Sequence, residues 1–273
     1  MKILLSKPEF DTWSKYFNLL KRKHPNNIFI FDFINESNIN KLIKEYNIDI
    51  IIPLSYLDME LLSKSNINCY YISPKNYDDI SILDNKCKFI KYFMENDLEK
   101  YLPKTYYIYL DNQKYVYDEN INFPAIQKSD LGFGGKNIYI INNVNEIKKM
   151  DNYILQKYIK GNDEYAAHIV CVNGKIIFHK FFKEIHQKEY YIQYGPMKNF
   201  EIIDFNINLF KPIFEKLKYN GICCVNFKYI NDKIYIFEIN PRFGGTLLYN
   251  YIFIEFFENL IIMNNLDLNL LIN

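Results

Sequence analysis

Glycine and proline are scarce in this chain, with 9 of each among 273 residues. No low-complexity linker or internal repeat breaks the sequence, so no flexible tether divides it. Scarcity makes the glycines informative. Gly132, Gly134, Gly135, Gly244 and Gly245, five of the nine, fall in two short segments. The five cysteines (Cys69, Cys87, Cys171, Cys223, Cys224) show no C-x-x-C spacing. They read as reduced, buried thiols of a cytoplasmic protein, not as a zinc site or disulfide framework.

Charge of either sign is also not in excess. Lys+Arg 33 against Asp+Glu 32 leaves a formal charge of +1. No basic stripe favours nucleic acid or a membrane surface. The opening "MKILLSKPEF" is too short an apolar run for a signal peptide, and no stretch reaches the length of a membrane span. The turn after the first apolar segment, "SKPEF", lacks G-x-G-x-x-G, so a dinucleotide held in the Rossmann manner is not expected.

What is present is apolar and aromatic. Hydrophobic residues make up 49% of the chain, enough for a sizeable core. The abundant Ile, Asn, Lys, Tyr and Phe all have A/T-rich codons, so a surface asparagine is weak evidence of function. The first 80 residues alternate strand and helix. "KILL" (2–5), "IFIFDF" (28–33), "DIIIP" (49–53) and "CYYI" (69–72) read as strands. Trp13, Tyr16, Phe17 and Leu20, then Ile39, Leu42, Ile43 and Tyr46, fall at helical spacing, and a short helix is expected near 57–64. This βαβαβ pattern predicts a parallel sheet. A helix follows near 84–95. Residues 123–141 read as strand, Gly-rich turn, strand. Residues 153–182 read as two strands with a hairpin at Asn173-Gly174. A helix over 208–219 precedes a last hairpin over 222–240, and the tail 247–264 is predicted helical.

Three segments carry polar groups that a core does not need. In "KSDLGFGGKN" (128–137) the glycines allow backbone amides to approach phosphate oxygens, with Lys128 or Lys136 adding charge. A hairpin that merely requires positive φ explains the segment equally well. "ILQKYIKGNDEY" (154–165) joins an apolar strand to Glu164 through Gly161, either as a nucleotide-binding hinge or as an exposed turn. Taken alone, Lys86 reads as a solvated lysine.

The last hairpin is more specific. In "IYIFEINPRFGGT" (234–246), Glu238, Asn240 and Arg242 sit at i, i+2, i+4 and share one face of an extended chain. On the preceding strand Cys224, Asn226 and Lys228 share a face opposite Val225, Phe227 and Tyr229. Ile234 and Ile236 fall in phase with Glu238 and Asn240, and Tyr235, Phe237 and Ile239 face the other way. A two-residue turn at 231–232 pairs Val225 with Glu238. A three-residue turn at 231–233 pairs Asn226 with Glu238 and aligns the polar faces, so it is the expected register. Asn226, Glu238 and Asn240 then form an oxygen-rich patch suited to Mg²⁺ beside phosphate. The rival reading is a structural Glu238–Arg242 salt bridge.

"FEINPRFGG" (237–245) resembles the signature of the ATP-grasp superfamily of carboxylate ligases, in the style of its carbamoyl-phosphate-synthase-like members. The upstream segments follow that family's order. "NKCKFIKYF" resembles its lysine-bearing helix, "FPAIQKS" its phosphate-lysine strand, "GFGGKN" its Gly-rich loop, and "LQKYIKGNDE" its hinge. "DIIIPLSYLDMELLS" resembles the end of its N-terminal domain. The resemblance spans nearly the whole chain. It implies an N-terminal Rossmann-like parallel-sheet domain over 1–80, followed by an ATP-grasp fold of two α+β subdomains. The first, with the Gly-rich loop, covers 81–160 and the second, with the metal-binding hairpin, 161–273.

The resemblance also implies roles. Lys86 and Lys128 contact the phosphates of ATP, and the loop with Gly132, Gly134 and Gly135 closes over them. Gln156, Lys157, Tyr158 and Ile159 hold the adenine and Glu164 the ribose. Asn226, Glu238 and Asn240 hold Mg²⁺. The γ-phosphate passes to a substrate carboxylate, an amine or other nucleophile displaces it, and Arg242 and Lys128 stabilise the charge that develops. The implied partners are a small carboxylate and an amine, with no nucleic acid and no membrane, and the resemblance allows a homodimer. Substrate choice is expected from the N-terminal domain, residues 184–199 and residues near Gly244–Thr246. Two positions depart from the family pattern. Asn226 stands where an acid is common, and Asn137 where a glycine is common. Asn226 favours a rival class, a nucleotide-binding sensor or scaffold without catalysis. A ligase acting on a protein or peptide is a third class.

Overall fold

The computed structural model describes residues 2–7, 14–74, 77–132, 135–188, 192, 199–248 and 252–258. Three sheets organise them. The first is built as the alternation predicts. Strands β1 (Lys2–Ser6), β2 (Ile28–Asp32), β3 (Ile50–Ile52) and β4 (Tyr70–Tyr71) alternate with helices α1 (Ser14–Lys23), α2 (Ile39–Tyr46) and α3 (Tyr56–Lys64). The strands pair in parallel in the order β2-β1-β3-β4. Their near-continuous apolar runs suit a sheet covered on both faces. Side chains fill the end of β1. Ser6 Oγ donates to Asp58 Oδ2 at 2.6 Å and accepts from the Leu54 amide at 2.8 Å. Trp13 of the expected first helix lies outside the described residues.

Two helices, not one, lead out of this sheet: α4 (Tyr77–Asp84) and α5 (Lys86–Glu95). Asn85 separates them and caps α5, its side-chain oxygen accepting from the Lys88 amide at 3.0 Å. The cap is tied to the next unit. The Lys86 amide donates to Asp130 O at 2.9 Å, and Asn85 Nδ2 to Asp130 Oδ2 at 3.1 Å.

The second sheet is antiparallel, in the order β6-β5-β9-β7-β8. It contains β5 (Thr105–Leu110), β6 (Gln113–Val116), β7 (Ala125–Ser129), β8 (Ile138–Ile141) and β9 (Tyr153–Lys157). The third, also antiparallel, runs β12-β11-β10-β13-β14. It contains β10 (Asp163–Val172), β11 (Lys175–Ile185), β12 (Phe200–Ile203), β13 (Gly221–Ile230) and β14 (Lys233–Asn240). The 153–182 stretch therefore holds three strands in two sheets. The β10–β11 hairpin turns at Asn173-Gly174, both at positive φ, as expected. Helix α6 (Lys211–Leu217) is shorter than the span predicted around it, because a 3₁₀ turn fills 207–209. Helix α7 (Ile252–Phe257) confirms helix within the tail, whose end lies outside the described residues.

One face of the third sheet packs with α7 and the first sheet, through Ala166, Phe182, Cys224, Phe253 and Phe256. The other face packs on α5 and α6 through Phe89, Phe214, Val225, Phe227 and Ile236. All five cysteines are free; four are buried and Cys69 is half-buried.

The last hairpin corrects the expected turn. Asn231 and Asp232 form a two-residue turn, both at positive φ, and Ile230 pairs with Lys233. That register holds to Phe227–Ile236, and then a β-bulge at Phe237 adds one residue to β14. Asn226 faces Glu238 after all, by a different route. The bulge also corrects the face assignment. Ile234 and Ile236 enter the core, whereas Phe237, Glu238 and Asn240 face a cavity.

Candidate active site between the antiparallel sheets

The second and third sheets enclose a cavity of about 330 Å³. Apolar side chains from both sheets form its walls, among them Ile126, Ile138, Tyr158, Ile159 and Phe237. Among the described residues six cationic side chains border it, Lys86, Lys128, Lys136, Lys157, Lys228 and Arg242, against two carboxylates, Glu164 and Glu238. A concave apolar site with a strong excess of one charge selects a ligand of the opposite charge.

Glu238 is the hub. Its Oε1 accepts from Asn226 Nδ2 at 2.7 Å and Asn240 Nδ2 at 3.0 Å. Its Oε2 lies 3.4 Å from Lys86 Nζ. Burial pushes the Glu238 carboxyl up, but Lys86, the two amides and Lys128 together outweigh it and hold the group below the usual carboxylate range. Glu238 therefore stays ionised. The rival Glu238–Arg242 bridge is not what forms. Arg242 donates to Asn240 Oδ1 at 3.3 Å and to the Phe243 carbonyl at 3.2 Å.

Lys86 is not the solvated lysine it resembles in isolation. It is 7% exposed, and its ammonium donates to Gly132 O at 2.9 Å. Helix α5 thus presents Lys86 to both the Gly-rich turn and the carboxylate–amide patch. Lys128, on β7, is 4% exposed, with its ammonium 4.8 Å from the centre of the Phe237 ring. Burial lowers its pKa to about 8, Glu238 opposing and Lys86 reinforcing the shift.

Gly132 and Gly135 border the cavity, and Gly132 has φ +144°. Gly134 lies outside the described residues. Asn137 has φ 56°, a left-handed conformation that asparagine tolerates better than most residues, so it occupies a glycine-type position without a glycine. Lys157, Tyr158, Ile159 and Glu164 border the cavity along the link between β9 and β10. Gln156 does not. Its side chain is wholly buried and donates to Thr105 Oγ1 at 3.0 Å.

Nothing in the sequence assigns a role to Lys228, although it shares a strand face with Asn226. Its buried ammonium donates to Ile159 O at 2.9 Å and Gly161 O at 2.6 Å, tying the inter-sheet link to β13. Of residues 184–199, only Ile192 is described at the cavity, and most of the segment lies outside the described residues. Gly244, Gly245 and Thr246 border the cavity. A Cβ on Gly244 would lie 2.5 Å from Cys224 Sγ, so only glycine lets the backbone pass there.

Two antiparallel sheets close on a cationic, apolar-walled cavity, with a carboxylate–amide patch on the last hairpin, a class of site suited to an anionic ligand with an apolar part. The chain belongs to the ATP-grasp family, whose domain matches residues 83–246. Its fold is similar to that of the L-amino acid ligase from Bacillus licheniformis, with TM-score 0.63 and 13% identity, covering 92% of this chain and 69% of that one. It is also similar to the D-alanine–D-alanine ligase from Bacillus anthracis complexed with ATP, with TM-score 0.61 and 17% identity, covering 90% and 88%. In sequence it is similar to the uncharacterized protein MG011 of Mycoplasma genitalium, 26% identical over 201 residues. That match covers 69% of this chain and 64% of the relative's length. Among the described residues no helix is long and apolar enough to cross a membrane.

Proposed function

We propose that this chain is an ATP- and Mg²⁺-dependent ligase that activates a small carboxylate as an acylphosphate and joins it to an amine or other nucleophile. The observation that carries the reading is the grouping of Lys86, Asn226 and Asn240 around Glu238, with Lys128 and Arg242 on the same cavity. Phosphoryl transfer needs chiefly positioning and charge neutralisation, and these side chains supply both. Lys86 and Lys128 take the phosphates. Lys157, Tyr158 and Ile159 take the base and Glu164 the ribose. Arg242 faces the acyl end, where it stabilises charge on the transferred group. The γ-phosphoryl bond to ADP breaks as the carboxylate oxygen bonds to phosphorus. The nucleophile's lone pair then displaces phosphate from the acyl carbon.

The metal reading rests on donor chemistry. One carboxylate and two amides offer hard oxygens, with the remaining shell left to phosphate and water. Asn226 and Asn240 now turn their nitrogens to Glu238, and half a turn of either amide exchanges nitrogen for oxygen without changing its shape. Mg²⁺ held by Glu238, Asn226 and Asn240 would neutralise phosphate charge. We assign residues 1–80 to an N-terminal domain, 81–160 to the first ATP-grasp part and 161–273 to the second. The free cysteines favour the cytoplasm.

Thermal unfolding with and without ATP and Mg²⁺ tests the site. A ligand that binds only the folded state at about a hundred times its Kd adds about 2.7 kcal/mol of stability. Release of ADP that requires both an acid and an amine then tests the ligase reading. A second reading, a nucleotide sensor without catalysis, is favoured by the neutral Asn226. It predicts the thermal shift without ADP release under any acid and amine.

A further inference from the structure

His168 stands in the middle of β10, paired with Cys224 on one side and Lys180 on the other. Its ring is wholly buried, set edge-on to Phe182 and Phe256. The Gly244 backbone passes so close that a Cβ there would lie 2.7 Å from His168 Cε1. Nε2 lies 2.5 Å from Thr246 Oγ1, and Nδ1 has no hydrogen-bond partner among the described residues. Burial depresses the imidazole pKa to about 3, so the ring is neutral. Thr246 borders the cavity beside Gly244, Gly245 and Arg242.

A neutral imidazole has one proton and two places to keep it. On Nδ1 it is a buried donor without an acceptor, and Thr246 must spend its own proton on Nε2. The hydroxyl then shows the cavity only lone pairs. On Nε2 the imidazole donates to Oγ1, and the hydroxyl proton is released toward the cavity. A cavity bordered, among the described residues, by six cations against two carboxylates suits an anion, and a hydroxyl meets an anion favourably only by donating.

We propose that His168 is a positioning residue that keeps its proton on Nε2, so that Thr246 donates its hydroxyl proton to an oxygen of the anionic carboxyl or phosphoryl group bound beside Arg242. The assignment rests on the ligase reading, because that reading places the acyl end of the reaction at Arg242. It makes the Thr246 hydroxyl a fixed donor and gives an in-strand histidine a role without a charge.

Two measurements test it on the full chain. The first is the imidazole ¹⁵N spectrum of histidine-labelled protein loaded with MgADP and inorganic phosphate. The expected result is Nε2 in the protonated range and Nδ1 in the unprotonated range. The reverse assignment overturns the proposal. The second is the affinity of the MgADP-loaded protein for inorganic phosphate. His168→Met is expected to weaken it about tenfold, and His168→Gln, which keeps an N–H donor, to recover most of the loss. MgADP affinity is expected to stay unchanged in both variants. Equal phosphate affinity in all three proteins, or no phosphate binding by MgADP-loaded wild type, overturns the proposal while the nucleotide site stands. Failure of the wild type to bind MgADP overturns both this inference and the ligase reading.

Discussion

Asn226 faces Glu238 across the last hairpin only because Phe237 bulges. The two-residue turn alone would set Val225, a core residue, opposite the carboxylate. The extra residue reverses the face of everything after it. It brings Glu238 and Asn240 to the cavity and lays the Phe237 ring against the Lys128 ammonium.

Glu238→Gln removes the one anionic group of the patch and leaves Lys86 without its carboxylate partner. ATP turnover with Mg²⁺ is expected to fall about 10²–10³-fold, the usual loss when a preorganised charge is removed from a reacting site. Turnover within tenfold of wild type would take Glu238 out of the metal set.

Lys128 makes the site sensitive to pH. Its pKa in the folded chain, about 8, lies below the value of about 10.5 for an unfolded lysine. The unfolded chain therefore binds more protons between these values, so this group's contribution to stability rises with pH across that window. Below pH 8 it opposes folding, and Lys128→Met is expected to raise the unfolding midpoint at pH 7 and to lose that advantage toward pH 10. Phosphate stabilises the ammonium, so ATP affinity should fall as pH rises above 8, with proton uptake on binding. Calorimetry in two buffers of different ionisation enthalpy reads both. Affinity that is flat from pH 7 to 9.5 would separate Lys128 from the phosphates.

Asn226→Asp sets a second carboxylate opposite Glu238. Without metal the two repel, and the melting temperature should drop. With ATP, Mg²⁺ affinity should rise severalfold, as an added anionic oxygen draws a hard cation. Weaker Mg²⁺ binding would mean that position 226 points away from the metal.

Gly244→Ala drives a methyl group into Cys224 Sγ and His168 Cε1, at 2.5 and 2.7 Å. Urea unfolding is expected to register about 1–3 kcal/mol of destabilisation, the usual cost of overpacking. Cys224→Gly in the same background should return part of it. An unaltered urea midpoint for the single variant would show that the backbone yields there.

Much of this arrangement is legible in the residues. The parallel sheet follows from alternating apolar segments, and the Asn173-Gly174 hairpin from its turn residues. Lys86, Lys128, Glu164, Glu238 and Arg242 fall on one cavity, in the order their motifs run along the chain. The rest hides for physical reasons. Helix α4 abuts α5, with Asn85 alone as the punctuation, so only the second, expected near 84–95, is legible. Phe237 bulges without the glycine that often marks a bulge. Gln156 sits in a motif that points it at a ligand, yet Thr105 draws its amide into the interior. His168 and Lys228 lie in apolar strands, where a single polar residue reads as an ordinary core exception. Their partners lie far along the chain or in an irregular link: Thr246 for His168, and the Ile159 and Gly161 carbonyls for Lys228.

The second sheet is one uninterrupted excursion of the chain, residues 105–157, and its first and last strands are neighbours. Thr105 pairs with Gln156, and the Lys157 amide bonds to Lys104 O at 2.8 Å. The chain leaves and returns at adjacent points. This wall of the cavity is thus a cassette with two junctions side by side, open to exchange for the equivalent piece of a relative while the hairpin bearing Glu238 stays untouched.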